Sequence, residues 1–284
     1  MKMLVLGAHG QAGHMISLYM SEQGHDVTGF DRTPVTHCRS IVGDARDTDA
    51  LKALIEKGEF DAVINCIGIL NQFAENDKTL AAFLNAYLPH FLASITRDLE
   101  TRIIHMSTDC VFSGERGSYT ETSLRDGPTF YDRSKALGEL EDEKNITLRN
   151  SVVGPDINPQ GIGLLNWFMQ QQGQVKGFRK AMWTGLTTLE LAKAMEQAAL
   201  QKAHGLYNMV YKQPISKYDL LCLFNKHLRK HPIEIVPADG TASDKSLIRT
   251  RFDFVYEVPD YETMISELGV WIRAHKELYP HYDV

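Results

Sequence analysis

The chain opens with Met3-Leu4-Val5-Leu6, a short apolar run. It passes directly into Gly7-Ala8-His9-Gly10-Gln11-Ala12-Gly13 and then into a helical pattern that ends near Gly24. A buried strand that turns through three spaced glycines into a helix is the first crossover unit of a parallel sheet. Glycines at these spacings permit the tight turn, let backbone approach a pyrophosphate, and let the helix pack on the strand. The helix N-terminus then offers free N–H groups and the positive end of its dipole to an anion. Gly7, His9, Gly10, Gln11, Ala12 and Gly13 are therefore assigned to a dinucleotide site.

The same rhythm continues. Apolar strand candidates follow at 27–30, 39–42, 62–66, 102–106 and 146–149, with helical patterns at about 48–57 and 77–98, the latter bent or interrupted near Pro89. Strands that are almost wholly apolar and alternate with helices indicate a parallel sheet covered on both faces, and the right-handed crossover rule makes it doubly wound. Beyond 150 the pattern is broken by Gly154-Pro155, Asn158-Pro159, Gly161 and Gly163. Helices are expected near 189–201, 218–228 and 261–275, with one strand at 206–210. The predicted fold class is α/β. A Rossmann-type dinucleotide domain is formed by 1–150 and about 186–212, and a smaller, discontinuous substrate lobe by about 151–185 and 213–284.

Composition excludes several classes. Among 284 residues, 43% are hydrophobic and 23% charged, which is enough for a sizeable core, and the net charge is −6. The densest basic stretch, Lys226-His227-Leu228-Arg229-Lys230-His231, reads as a solvated helix end, so nucleic acid is not expected as a partner. The four cysteines, Cys38, Cys66, Cys110 and Cys222, lie far apart, and no His/Cys/Asp spacing suits a metal. No apolar run approaches a membrane span, and the first apolar run is too short for a signal segment. A cytoplasmic protein without membrane or metal is the expectation.

The residues with chemistry lie at the strand ends. Tyr131 and Lys135 are four apart on a helical pattern and so share a face, where an ammonium can stabilise a phenolate and draw the phenol pKa down. Ser107-Thr108-Asp109 follows a strand at the carboxyl edge of the sheet, where open α/β folds bind ligands. A hydroxyl there can orient a carbonyl against Tyr131. Tyr-x-x-x-Lys is common by chance, and its weight comes from this surrounding. Asp31, at the end of the second strand, suits ribose hydroxyls and NAD, whereas Arg32 beside it suits the 2′-phosphate of NADP. Gly43-Asp44 is placed to reach an adenine edge or to make a turn. Gly68, after Cys66 and Ile67, lets backbone run close to a ribose. Cys110 reads as a packed residue, since no activating partner is apparent.

Taken together, these segments resemble the extended short-chain dehydrogenases/reductases, and most closely the dTDP-4-dehydrorhamnose reductase family. The resemblance rests on the glycine loop, His105-Met106-Ser107-Thr108-Asp109-Cys110-Val111-Phe112-Ser113-Gly114, Tyr119-Thr120-Glu121, and Tyr131-Asp132-Arg133-Ser134-Lys135-Ala136-Leu137-Gly138-Glu139. Arg149-Asn150-Ser151-Val152-Val153-Gly154 and Gly205-Leu206-Tyr207-Asn208 extend it over nearly the whole chain.

The resemblance implies a reductase that passes hydride from NADPH or NADH, NADP slightly preferred, to the C4 ketone of a nucleotide-linked 4-keto-6-deoxy sugar in deoxysugar or surface-polysaccharide synthesis. Thr108, Tyr131 and Lys135 would be catalytic, with Tyr131 the proton donor. Asp31, Arg32, Asp44, Ala45, Cys66, Ile67, Gly68 and Ser107 would join the glycine loop, Tyr131 and Lys135 at the coenzyme. Thr108, Asp109, Cys110, Asn166 and Trp167 would meet the sugar, and a homodimer is compatible. The chain departs from the family at Cys110, where Tyr is usual, at His9, and at Asn150, where Thr is usual. Two other readings use the same fold: a nucleotide-sugar epimerase or dehydratase, and a non-catalytic cofactor-binding subunit like the regulatory β subunit of methionine adenosyltransferase.

Overall fold

In the computed structural model, which describes residues 1–240 and 242–284, the N-terminal half builds the predicted crossover units. These are β1 (Lys2–Leu6), α1 (Gln11–Glu22), β2 (Asp26–Asp31), β3 (Arg39–Val42), α2 (Thr48–Gly58), β4 (Ala62–Asn65), α3 (Asn71–Asn76), α4 (Lys78–Ala81), α5 (Leu88–Ile95), β5 (Arg102–Ser107), α6 (Phe130–Leu137) and β6 (Ile146–Arg149). The remainder adds β7 (Ser151–Val153), α7 (Leu164–Met169), β8 (Gln174–Phe178), β9 (Ala181–Trp183), β10 (Gly185–Thr187), α8 (Thr188–Leu200), β11 (Gly205–Asn208), β12 (Ile215–Ser216), α9 (Lys217–His227), β13 (Glu234–Ala238), β14 (Ser243–Asp244) and α10 (Tyr261–Ala274).

Seven strands form one parallel sheet in the order β11-β6-β5-β4-β1-β2-β3. Successive residues of β1 serve opposite faces. Met3 and Val5 enter the core shared with α1, α7, α8, α9 and α10, while Leu4 and Leu6 join Leu51, Ile55, Leu88 and Leu92 under α2 and α5. This two-sided burial is what removes polar alternation from the strand sequences. The strand order reverses between β1 and β4, so the carboxyl ends of these two strands diverge and leave a crevice. The edge strand β11 pairs parallel to β6, Gly205 opposite Ile146, although more than fifty residues separate them. The remaining strands make short pairings, β7 with β10, β8 with β13, and β12 and β14 on either side of β9. Among the described residues no helix is long and apolar enough to cross a membrane.

The helix expected over 77–98 is divided differently from the sequence expectation. Residues Ala82–Tyr87 form a π-helical turn ahead of Pro89, and Leu88 N–H reaches Phe83 O in the wider spacing. Pro89 has no N–H to return to the Asn85 carbonyl, so the wider turn relieves the lost bond. Asn85 is fully buried there. Its amide donates to Ile69 O (3.0 Å) and Ser134 Oγ (3.1 Å) and accepts from Ile69 N–H (2.9 Å). Its carbonyl lies against Gly138, where an added Cβ would come within 1.9 Å. The turn thus seats α6, the helix that carries Tyr131 and Lys135.

Candidate active site

The glycine loop begins at Gly7, whose φ of +78° is the left-handed conformation that L side chains resist. The N–H groups of Gly7 and Ala8 both reach Phe30 O (2.9 and 3.3 Å), which ties the loop to β2, and Gly10 N–H closes the turn on Gly7 O at 3.0 Å. A Cβ on Gly13 would fall 2.0 Å from Gly7 O, so this glycine lets α1 pack directly on the strand end. A Cβ on Gly10 would meet only Gly7 O, at 3.3 Å, and otherwise open space. α1 starts at Gly10 without a side-chain cap or an acidic residue in its first turn. Its N-terminal N–H groups and dipole face the crevice, an arrangement made for an anion.

A cavity of about 630 Å³ runs from this loop along the carboxyl edge, bounded by Asp31, Arg32, Asp44, Ala45, Arg46 and the Cys66-Ile67-Gly68 backbone. The Asp31 carboxylate accepts from His9 N–H (3.0 Å) and Arg32 N–H (2.7 Å), so it stands over the loop where an adenosine ribose would lie. Asp44 is paired with Arg46, which holds its carboxyl below the usual range. Among the described residues the Arg32 guanidinium makes no ion pair. Burial pushes the Cys66 thiol up to about 12, so it is a neutral wall.

A second cavity of about 590 Å³ shares Gly10, Gln11 and residues 66–69 with the first and continues to Thr108, Asp109, Cys110, Tyr131 and Lys135. Thr108 follows β5 and caps a single helical turn, its hydroxyl accepting from Cys110 N–H (3.1 Å) and donating to Asp109 (3.2 Å). α6 begins with a reciprocal cap between Thr129 and Asp132, and Phe130 N–H is taken by the Glu75 carboxylate of α3 (2.6 Å). Tyr131 and Lys135 are each 6% exposed. Lys135 Nζ donates to Met106 O at 2.7 Å; burial lowers its pKa to about 8 against the opposing pull of Glu139.

The expectation for Tyr131 is corrected at this point. Burial raises its pKa well above that of a free phenol, with Cys110, Asp109 and Asp132 adding to the rise and the Thr108 hydroxyl opposing it. The ammonium that was to lower it is directed at a backbone carbonyl, and Tyr131 holds its proton. Asp109 is also raised by burial, against Lys245 and the Thr108 hydroxyl, and the Cys110 thiol is pushed to about 12.

Not every expected residue reaches the cleft with a free side chain. Ser107 borders the second cavity, but its hydroxyl donates to buried Glu139 (2.6 Å). Asn166 is fully buried in α7, where its amide donates to Gly161 O (2.7 Å) and Pro159 O (3.1 Å) and accepts from Tyr282 (2.8 Å). Trp167 is 42% exposed and lines neither cavity. Neither lines a cavity, so both leave the set of direct substrate contacts; Asn166 holds the loop ahead of it, and Trp167 is exposed.

That loop supplies residues the sequence reading missed. Asp156 and Asn158 border both cavities, and Gln160 to Gly163 border the second. Gln11 bridges to it by donating to Gly154 O at 2.9 Å, and Tyr282 accepts from Asp156 N–H at 3.0 Å. Its glycines broke the helical pattern, which was the available signal. On the facing wall stand Leu70, Asn71 at φ +40°, and Phe73.

A seven-stranded doubly wound sheet with this glycine loop makes the chain a Rossmann-like α/β protein. Residues 1–253 match the family model described as RmlD substrate binding domain, and the chain belongs to that family. It is 34% identical over 139 residues to a probable low-salt glycan biosynthesis reductase of Haloferax volcanii, covering 48% of this chain and 46% of that one. The chain thus matches about half the length of that curated relative. It is 23% identical to the dTDP-4-keto-6-deoxy-D-glucose reductase of Streptomyces niveus over 98% of this chain and 96% of the other. A dTDP-4-dehydrorhamnose reductase from Bacillus anthracis, solved in complex with NADP, superposes with a TM-score of 0.80 at 17% identity, covering 95% and 99% of the two chains.

Proposed function

We propose that the protein is an NAD(P)H-dependent reductase that converts the C4 ketone of a nucleotide-linked 4-keto-6-deoxy sugar to an alcohol, in deoxysugar or surface-polysaccharide synthesis. The observation that carries this reading is the convergence of Thr108, Tyr131 and Lys135 in a cavity continuous with the glycine-loop crevice. The residues fit a dinucleotide: Gly10 leaves room for its approach, and the uncapped start of α1 faces its phosphates. When bound, the nicotinamide supplies the hydride.

The chain supplies the rest. The Thr108 hydroxyl, turned from Asp109, and the neutral Tyr131 phenol both donate toward a carbonyl oxygen gaining negative charge, which stabilises it. Tyr131 then gives up its phenolic proton, and Lys135, one helical turn further along α6, is the cation that would turn from Met106 O to stabilise the phenolate left behind. The raised pKa of Tyr131 keeps that proton in place until the oxygen becomes basic. Asn71, Asn150 and Gln160, which line this cavity, offer neutral donors and acceptors of the kind sugar hydroxyls require. Arg32, with no carboxylate partner among the described residues, favours NADPH over NADH, with Asp31 permitting both.

The test is oxidation of NADPH and NADH, followed at the nicotinamide absorbance, with dTDP- and UDP-linked 4-keto-6-deoxy sugars. Oxidation that requires one sugar supports the reading. Coenzyme binding with no sugar-dependent oxidation refutes it.

A further inference from the structure

After α10 the chain makes one short helical turn, Lys276–Leu278, and then buries two tyrosines, Tyr279 and Tyr282, with their rings stacked 5.9 Å apart. Each hydroxyl is directed at a different wall of the glycine-loop crevice. Tyr279 Oη lies 2.9 Å from His14 Nε2, and His14 Nδ1 lies 3.0 Å from Gly10 O. A carbonyl oxygen only accepts, so Nδ1 carries the ring proton. Burial lowers the His14 pKa to about 4, which leaves Nε2 bare to accept from Tyr279. Tyr279 therefore braces the glycine loop at Gly10, a residue that borders both cavities.

Tyr282 braces the opposite wall. Its hydroxyl accepts from Asp156 N–H (3.0 Å) and donates to Asn166 Oδ1 (2.8 Å). The Asn166 amide then donates to Pro159 O (3.1 Å) and Gly161 O (2.7 Å), and Asn158 N–H returns to the Asp156 carboxylate at 2.9 Å. Residues 154–163 lie between β7 and α7 and belong to neither, so no ladder of backbone bonds fixes them. Asp156 and Asn158 nevertheless border both cavities. Phenylalanine would fill the same apolar space as Tyr282. What the hydroxyl adds is a grip on both ends of this loop.

We propose that Tyr282 is a positioning residue of the cleft: its hydroxyl, acting through Asp156 N–H and Asn166, holds the 156–163 loop in the conformation that receives coenzyme. The inference rests on the reading of the two cavities as coenzyme and sugar sites. Removing the hydroxyl leaves the buried Asp156 N–H and Asn166 Oδ1 without their partner, and the loop then regains them by opening toward water.

The test is hydrogen exchange of the peptide spanning 155–163, read by mass spectrometry, with NADPH affinity by fluorescence titration. Wild type, Tyr282→Phe and Tyr279→Phe are compared well below their melting temperatures. In Tyr282→Phe, exchange in 155–163 should rise about tenfold, the scale of one lost hydrogen bond, and NADPH affinity should fall several-fold. Peptides of β1, β4 and β5 should exchange as in the wild type, and saturating NADPH should restore protection of the loop. Tyr279→Phe, which releases His14 instead, should leave 155–163 protected. If Tyr282→Phe does not fold, Asn166→Ser removes the donors to Pro159 O and Gly161 O and should give the same change confined to the loop.

NADPH affinity equal to wild type in Tyr282→Phe overturns the proposal. So does a rise in exchange spread over the whole sheet, which is what a tyrosine that only stabilises the fold would give. If the wild type binds NADPH and no sugar triggers its oxidation, the reductase reading falls, while the affinity of Tyr282→Phe still decides on the loop.

Discussion

Gly10 and Gly13 belong to one motif, yet the structure gives them separable duties that two single-methyl substitutions expose. In Gly13→Ala the new Cβ would sit 2.0 Å from Gly7 O and 2.7 Å from Gly7 C, both backbone atoms of a loop already tied to β2. Neither side can yield without moving α1 off β1. Overpacking of this kind costs roughly 1–3 kcal/mol, and a backbone clash belongs at or above the top of that range. The better helix propensity of alanine returns up to about 1 kcal/mol. A net loss of about 2–3 kcal/mol follows, or roughly 4–8 °C in melting temperature for a chain of this size.

In Gly10→Ala the methyl has one contact, 3.3 Å from Gly7 O, and the backbone φ of −73° suits alanine. Stability should fall by about 1 kcal/mol at most, the difference between glycine and alanine at an N-cap. The methyl instead enters the space in front of the helix N-terminus, and NADPH affinity should fall about tenfold or more, some 1.4 kcal/mol. Thermal melts without ligand and fluorescence titration with NADPH measure the two effects. If Gly10→Ala melts as low as Gly13→Ala and binds coenzyme like the wild type, the division of labour argued from these distances is wrong.

Other outcomes follow from the same site. Tyr131→Phe should leave NADPH affinity near wild type while turnover falls about 10²-fold or more, the scale for a positioned acid; unchanged turnover removes Tyr131 from the mechanism. Arg32→Ala should raise KM for NADPH several-fold and leave that for NADH little changed, and equal effects on both would exclude a 2′-phosphate role. His14, buried in α1 between Gly10 O and the Tyr279 hydroxyl, is lowered by burial to about 4. A histidine whose folded pKa lies below its unfolded value stabilises the fold above the unfolded value and loses that contribution as pH falls toward the folded one. Between pH 7 and 5 the loss is about 2 kcal/mol. Urea midpoints at the two pH values should therefore differ less in His14→Gln than in the wild type, and equal differences would refute the assignment.

What could be read from the sequence was whatever is encoded locally. Met3–Leu6, the glycine loop and the later apolar runs announce a parallel sheet because burial on both faces leaves no room for polar residues in its strands. Thr108, Tyr131 and Lys135 could be named as candidates because strand ends and helix starts are local signals too. The misses depend on distant partners. The π-helical turn answers to Pro89 but is held by Ile69 and Ser134 through Asn85. Asn166 looked free for a sugar, yet part of its fate is set by Tyr282, 116 residues away. The ionisation of Tyr131 depends on burial that the Tyr-x-x-x-Lys spacing does not contain. Several strands after β6, only two or three residues long, carry too little pattern to declare themselves.

The edge strand β11 has a consequence for the newborn chain. During synthesis β1 to β6 leave the ribosome in order, but the outer edge of β6 stays uncovered until residues 205–208 follow. Until then a row of unpaired N–H and C=O groups on an apolar strand is open to another nascent chain on the same message. A pause in translation between about 150 and 205 should therefore be more hazardous than one later in the gene. Replacing slow codons there with fast ones should raise the soluble yield without changing a single amino acid.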